Sequence, residues 1–256
     1  MNRYAQETAA LTRRWFLHLS RQPYSILFSI VQPILWLVLF GNTFRRVIQN
    51  PAFGTADYLS FMTASVITMT VVGNSLMAGI PLLMDRDFGF LNKLLTAPIS
   101  RTSILTSRFI FVNAVNWVQV TIILLLAMAM GVEMAHDWPG VLEIYLVTAL
   151  LALGITLISL SLAFVLHHHG EFFALVGFLN LPLVFLSSAL VPLDLMPGWL
   201  RFMARLNPMT YAIDGIRALI LSGWHGLPMS TILLALCLFN LLCIAISTRT
   251  FRRNLV

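Results

Sequence analysis

The chain has 256 residues, 59% of them hydrophobic and only 10% charged, and its mean hydropathy is +0.86. That composition lies well beyond the roughly 45 to 50% apolar content of soluble domains, which excludes an ordinary water-soluble globule and assigns the chain to a bilayer. The net charge of +6 is spread along the ends of apolar runs instead of one soluble face, so nucleic-acid binding is not expected.

In chain order, residues 5–22 place Leu11, Trp15, Phe16 and Leu19 at helical spacing, with Arg13, Arg14 and Arg21 available to a polar side. The pattern predicts an amphipathic helix on the membrane surface, its apolar face in the acyl boundary and its cations toward lipid phosphates. Anchoring and signal relay are both open to such a helix. Pro23 then breaks into the first of six apolar runs, 24–44, 58–83, 109–131, 141–166, 172–190 and 228–248. Each approaches or exceeds the about 20 residues that a helical crossing takes. The first run is too long for the apolar core of a cleavable leader and lacks an A-x-A-like exit, so it is expected to stay.

Lys and Arg accumulate on cytoplasmic flanks. With the N-terminus inside, inner segments hold eleven of the sixteen cations. Six crossings then put both termini in the cytoplasm.

Between the second and third runs lies a polar insert, 84–100, that packs Asp85, Arg86, Asp87 and Lys93 together. A helix over 84–95 is predicted, with Phe88, Leu91, Leu94 and Leu95 along one stripe and Asp85 and Asp87 in its first turn, where the helix dipole favours anions. Pro98 ends it. An acidic start is repelled by anionic headgroups, so a protein groove is its better host.

Polar residues inside the runs are sparse: Gln32, Asn74, Asn113, Asn116, Gln119 and Asn180. Asn113, Asn116 and Gln119 follow at successive i+3 steps and share one side of the third run, where they serve as glue between helices or line a solute path. Pro33 and Pro182 can kink their helices and free backbone carbonyls. The connection carrying Glu133 and Asp137 reads as a plain loop.

His167, His168 and His169 raise a metal site or a membrane-embedded lipid-modifying enzyme as alternatives. Consecutive helical residues point about 100 degrees apart, and the spacing is not the H-E-x-x-H that puts two His on one face. A short titratable inner loop is the expectation, with no metal. Cys237 and Cys243 lie six residues apart on one helix and cannot bridge each other.

Residues 191–226 are too apolar for a solvated loop yet are broken by Pro192, Pro197 and Pro208. Asn207 and Pro208 form an N-cap and first-turn pair, predicting a helix over about 208–222 that stops near Gly223, and a shorter one over 199–206. Dipping into the outer leaflet and returning, these pieces would form a lid, with Asp214 and Arg217 paired at i and i+3.

No G-x-x-x-x-G-K-[ST] loop is present and Lys93 is the one lysine, so the chain is not expected to be an enzyme that hydrolyses nucleotide. Glu143 is the lone acid within the six runs, which disfavours an ion-driven carrier. Energy is therefore expected from a partner.

The segment D-R-D-F-G-F-L-N-K-L-L-T-A-P-I-S resembles the acidic-Arg-acidic-x-Gly-x-Leu-x-x-Leu-Leu-x-x-Pro-Ile-Ser pattern of ABC-2 type permeases, the membrane subunits of ABC exporters. The later segment, with Pro182, Ser187, Pro192, Met196, Pro197, Trp199, Leu206, Asn207, Pro208, Tyr211, Asp214 and Arg217, is similar to that family's pattern before the last crossing. Asp85 stands where members commonly have Glu, and Asn92 where they often have an acid. The resemblance implies an all-α fold of six transmembrane helices, a single domain spanning 1–256, in the bacterial inner (plasma) membrane.

It also implies that 84–100 is a coupling helix. Its Asp85, Arg86, Asp87, Gly89, Leu91, Leu94, Leu95 and Pro98 would meet one of two copies of a separate ABC ATPase, which holds ATP and Mg. It further implies that Arg13, Arg14, Trp15 and Phe16 belong to a connecting helix, and that Pro192, Pro197, Trp199, Asn207, Pro208, Asp214 and Arg217 form an outer gate. Substrate would pass between two copies of the permease along the first, second and fifth crossings, making Gln32, Asn74 and Asn180 path candidates beside Asn113 and Asn116. An amphipathic solute such as a drug-like compound, lipid or glycolipid suits so apolar an interior, with sugar-chain export as the alternative.

Overall fold

The computed structural model describes residues 3–45, 58–90, 93, 96, 99–134, 138–166, 168–221 and 226–254. Among them the regular elements are helical: α1 Arg3–Ser20, α2 Pro23–Arg45, α3 Tyr58–Leu76, α4 Ile80–Asp87, α5 Arg101–Ala129, α6 Trp138–Val165, α7 His169–Phe185, α8 Gly198–Leu206, α9 Pro208–Ile220 and α10 Met229–Asn254. Short 3-10 turns at Met77–Gly79 and Leu193–Leu195 complete the set. Five helical stretches are long and apolar enough to cross a membrane: Pro23–Gly41, Tyr58–Asp87, Thr102–Ala129, Trp138–Val165 and Met229–Thr250.

The fifth apolar run departs from its expected bounds. α7 has 17 residues and ends at Phe185, not near 190. Pro182 sits in its last turn, and the Leu186 N–H closes the helix on the Pro182 carbonyl at 2.9 Å. At 1.5 Å per residue α7 reaches about 25 Å, short of a full hydrocarbon core. α5, by contrast, begins eight residues before its apolar run, because Ser100 caps it by accepting from the Ser103 N–H.

α3 and α6 form the buried centre, and α5, α9 and α10 pack around them, with α2 against α3 on the periphery. In a lipid solvent, apolar residues gain little by hiding from tails as apolar as themselves, so close packing and internal hydrogen bonds select the interior. α3 buries hydroxylated and small residues, Ser60, Thr63, Ala64, Ser65 and Thr68, alongside large ones such as Phe61, Met62 and Ile67, while Phe28, Leu39, Leu238 and Leu242 face outward on α2 and α10.

A tight crossing against backbone lies at the 3-10 turn. A Cβ built on Gly79 would stand 2.6 Å from the Ser159 carbonyl oxygen and 3.0 Å from Phe172, and the Gly79 N–H donates to Ser159 Oγ at 2.9 Å. A second close approach joins α6 to α10, where a Cβ on Gly154 would meet the Phe239 ring at 2.2 Å.

The polar insert is built differently from its sequence reading. Helix continues from the second apolar run through Asp87, and Phe88–Gly89 forms a turn with Gly89 in the left-handed region at φ +69°. A single helix over 84–95 is therefore excluded, since a residue at that φ cannot continue a right-handed helix. Asp85 and Asp87 occupy the last turn of α4, not the first turn of a new helix. Phe90, Lys93 and Thr96 are helical beyond the turn, while Leu91, Leu94, Leu95 and Pro98 lie outside the described residues.

Gly79→Val should lower thermal stability in detergent by about 1 to 3 kcal/mol through overpacking. An unchanged melting temperature would show that the α3–α6 crossing is looser than described.

Candidate functional site

α2, α3 and α7 enclose a cleft of about 450 Å³. Gln32, Pro33 and Trp36 line it from α2, Thr70 and Asn74 from α3, and Asn180 and Phe185 from α7, with Leu190 at one end. Among the described residues, none of the lining is charged. Three of the five amides expected along a path, Gln32, Asn74 and Asn180, are thus brought to one space.

The other two amides face elsewhere. Asn116 is fully buried beside α3, and its Oδ1 accepts from Asn74 Nδ2 at 2.9 Å. Asn74 Nδ2 also donates to Gln119 Oε1, and Gln119 Nε2 donates to Ser29 Oγ at 3.0 Å. Asn116 Nδ2 reaches Ser75 Oγ at 3.4 Å. These bonds tie α2, α3 and α5 together behind the cleft wall, each of a kind worth about 0.6 kcal/mol in a membrane. Asn113 is buried on α5 and lines no part of the cleft. Among the described residues, neither Gln32 nor Asn180 has a hydrogen-bond partner. A free amide in an apolar medium costs free energy until something pairs with it.

One end of the cleft is fixed by the segment after α7. Arg217 of α9 is fully buried, 3.5 Å from the centroid of the Phe61 ring, and donates to Ser65 Oγ at 2.9 Å and to the Ser188 carbonyl at 2.7 Å. Asp214 lies 3.6 Å from the guanidinium and accepts from Ser188 Oγ at 3.2 Å. The i, i+3 pair read from the sequence therefore holds the backbone just before Leu190 against α3. Asn207 caps α9 by accepting from the Met209 N–H, with Pro208 in the first turn, and its amide nitrogen donates to the carbonyls of Leu183 and Leu186 at 2.8 Å each. Pro192 and Pro197 flank the turn before α8, whose Trp199 is exposed, while Arg201 ties that turn by donating to the Leu193 carbonyl at 2.8 Å.

At the far end of α4, Arg14 of α1 donates to both carboxylate oxygens of Asp85 from its two terminal guanidinium nitrogens, one bond being 2.9 Å, and stacks 3.9 Å from the Phe90 ring centroid. An anion in a helix's last turn faces the negative end of the dipole, and Arg14 offsets that penalty. Arg86 turns the other way and donates to the carbonyls of Leu166 at 2.7 Å and Ala163 at 3.4 Å, closing the end of α6. Asp87 lies 3.2 Å from His169 Nδ1. His167 lies outside the described residues.

Leu11 and Trp15 of α1 are buried, with Phe111 and Val112 of α5 in the cluster around Trp15, and Phe16 meets Phe111 edge-on at 5.1 Å. Much of the stripe expected in the acyl boundary is instead spent on protein. Arg108 of α5 donates to the Ala78 carbonyl at 2.9 Å and faces the Trp15 ring at 4.7 Å. Glu7 accepts from the Ser100 N–H at 3.0 Å and from Ser103 Oγ at 3.1 Å, and the Ser100 bond first among its causes holds its carboxyl below the ordinary value. Neither Glu7 nor Arg108 stands out in the sequence. An acid on an amphipathic helix and an Arg at a membrane edge look like solvated and snorkelling side chains there.

Residues 6–221 match the family described as ABC-2 type transporter. The chain is 43% identical over 213 residues to the putative transport permease ycf38 of Porphyra purpurea, covering 83% of this chain and 73% of that protein. It is 26% identical to the probable doxorubicin resistance ABC transporter permease protein DrrC of Mycobacterium tuberculosis, with 86% and 79% covered. Against the daunorubicin resistance ABC transporter permease protein DrrB1 of Streptomyces coeruleorubidus, identity is 23%, with 86% and 76% covered.

Arg14→Gln and Asp85→Asn should each destabilise the protein, and the double substitution should cost about 1 to 2 kcal/mol less than the sum. Additive losses would mean that the two side chains do not pair. Acidification gives a second check. A carboxyl held low contributes stability that is present above its unfolded value and lost as pH falls through the folded one. Glu7→Gln should therefore flatten the acid limb of a Trp15 fluorescence titration, and an identical limb in the variant would contradict the Ser100 anchor.

Proposed function

The chain belongs to the ABC-2 type transporter family, and we propose that it is the membrane permease of an ATP-driven exporter for uncharged amphipathic solutes. In this reading α7 completes six crossings, both termini face the cytoplasm, and α8 with α9 re-enters from the outer side of a bacterial plasma membrane. Two copies of the permease assemble with two copies of a separate ABC ATPase, which supplies the ATP and Mg chemistry. The segment around Gly89 meets that ATPase. Asp85 serves it indirectly, by fixing α1 to α4.

The observation that carries the reading is the cleft between α2, α3 and α7. Among the described residues, its lining joins two uncommitted amides, Gln32 and Asn180, with the rings of Trp36 and Phe185 and no charge. Such a surface suits a flat apolar body bearing neutral donors and acceptors, and it penalises an ion or a charged polymer, whose charge would be buried unpaired. The drug-resistance names of relatives such as DrrC and DrrB1 support a drug-like amphipathic solute, without bearing on its charge. Differential contact energy in the two nucleotide states of the ATPase would move α4 and, through it, the cleft wall.

Purification of the permease with its ATPase into nanodiscs, followed by nucleotide hydrolysis across a panel of amphipathic solutes, tests this. Gln32→Leu and Asn180→Leu should each raise the half-stimulating solute concentration about tenfold, the worth of roughly one buried hydrogen bond, while the complex still co-purifies. Stimulation that is unchanged in both variants would place the path elsewhere.

A further inference from the structure

We propose that α1 carries a binding site for the headgroup of an anionic phospholipid, formed by Arg13, His18 and Arg21. These residues, with Ala10, Arg14 and Leu17, line an open groove of about 540 Å³ along one side of the helix. Among the described residues the lining holds three arginines and a histidine and no acid. Arg14 is committed to Asp85. Arg13 and Arg21 form no ion pair among the described residues, and His18 meets only the Gln22 amide, at 3.0 Å.

Position commits the groove to lipid. Arg21 stands two residues before Pro23, where the first membrane-length stretch begins, so the groove adjoins the end of an apolar helix long enough to enter the hydrocarbon. Exposed Leu17, within the groove, and exposed Tyr24 and Phe28 just beyond it offer an apolar surface continuous with α2. An anionic headgroup would meet the arginines while its acyl chains follow that surface. The remaining face of α1 is occupied by α5 through Leu11 and Trp15, which presents the basic side outward. A lipid seated there bears on the same helix that Arg14 clamps to α4. The bilayer's anionic content would thereby set how firmly α1 is held. The inference needs only a membrane-embedded chain and is independent of what the cleft transports.

The test uses the full-length permease in nanodiscs of equimolar phosphatidylglycerol and phosphatidylcholine, with retained lipid counted by native mass spectrometry. Wild type should retain phosphatidylglycerol selectively. R13Q/R21Q should weaken that retention by roughly twenty-five-fold, at about fivefold per arginine near an anionic surface, and R13K/R21K should restore most of it. Equal retention of the two lipids, or selectivity that survives R13Q/R21Q, would overturn the site. Displacement of phosphatidylglycerol by millimolar inorganic phosphate would assign the groove to a soluble anion instead. Loss of ATPase co-purification in R13Q/R21Q with lipid selectivity intact would make it a protein-docking face. R13K/R21K also guards against misfolding, since loss of selectivity in both variants together contradicts a charge-based site.

Discussion

The structure depends on one nearly unbroken helical stretch, Tyr58–Asp87, and on the requirement that every polar group along it find a partner inside the protein. Thirty residues at 1.5 Å each extend about 45 Å, enough to pass through the hydrocarbon core and emerge. Along that length it carries Ser65 beneath Arg217, then Thr70 and Asn74 at the cleft, then Gly79 against Ser159, and finally Asp85 under Arg14. One element thus touches the segment after α7, the candidate path and the end that carries the polar insert.

Pairing explains why those contacts are spaced as they are. A buried arginine in a weakly polar medium needs several acceptors, and Arg217 finds them in Ser65 and the carbonyls after α7. That requirement fixes Ser188 and Ala189 in place, and so the end of the cleft at Leu190. At the other end Arg86 satisfies the open carbonyls of α6 while Arg14 satisfies Asp85, so the two neighbouring charges of the insert brace two different helices. Gly79 permits the approach of α3 to α6 that brings Arg86 within reach of Ala163 and Leu166. The amides divide in the same way: Asn116 and Gln119 are consumed in holding helices together, whereas Gln32 and Asn180 are left facing the cleft.

Hydropathy makes the apolar runs legible, and the cap at Asn207 and Pro208 places α9 to within two residues of its end. Gln32, Asn74 and Asn180 stand out because an amide in an apolar run is rare. Trp36 and Thr70 do not, since an aromatic ring or a hydroxyl is ordinary on a packed or lipid-facing helix. The insert misleads because its apolar stripe keeps helical spacing across Gly89, and only the left-handed backbone at that residue reveals the break. Arg14 and Asp85 are 71 positions apart, and nothing in either neighbourhood announces the pair. The shortness of α7 is hidden for a related reason: Pro182 can sit inside a helix or end one, and the apolar sequence continues past it.

In the proposed cycle the stretch from Tyr58 to Asp87 moves as a unit, and the cleft opens and closes because α3 shifts against α2 and α7. The most direct measurement places single cysteines at Thr70 of α3 and Leu181 of α7, both in the cleft lining, and joins them with a short reducible cross-linker in the assembled, nucleotide-supplied transporter. Transport that stops on cross-linking and returns on reduction is the predicted result, and transport that continues with the two walls joined would contradict the account.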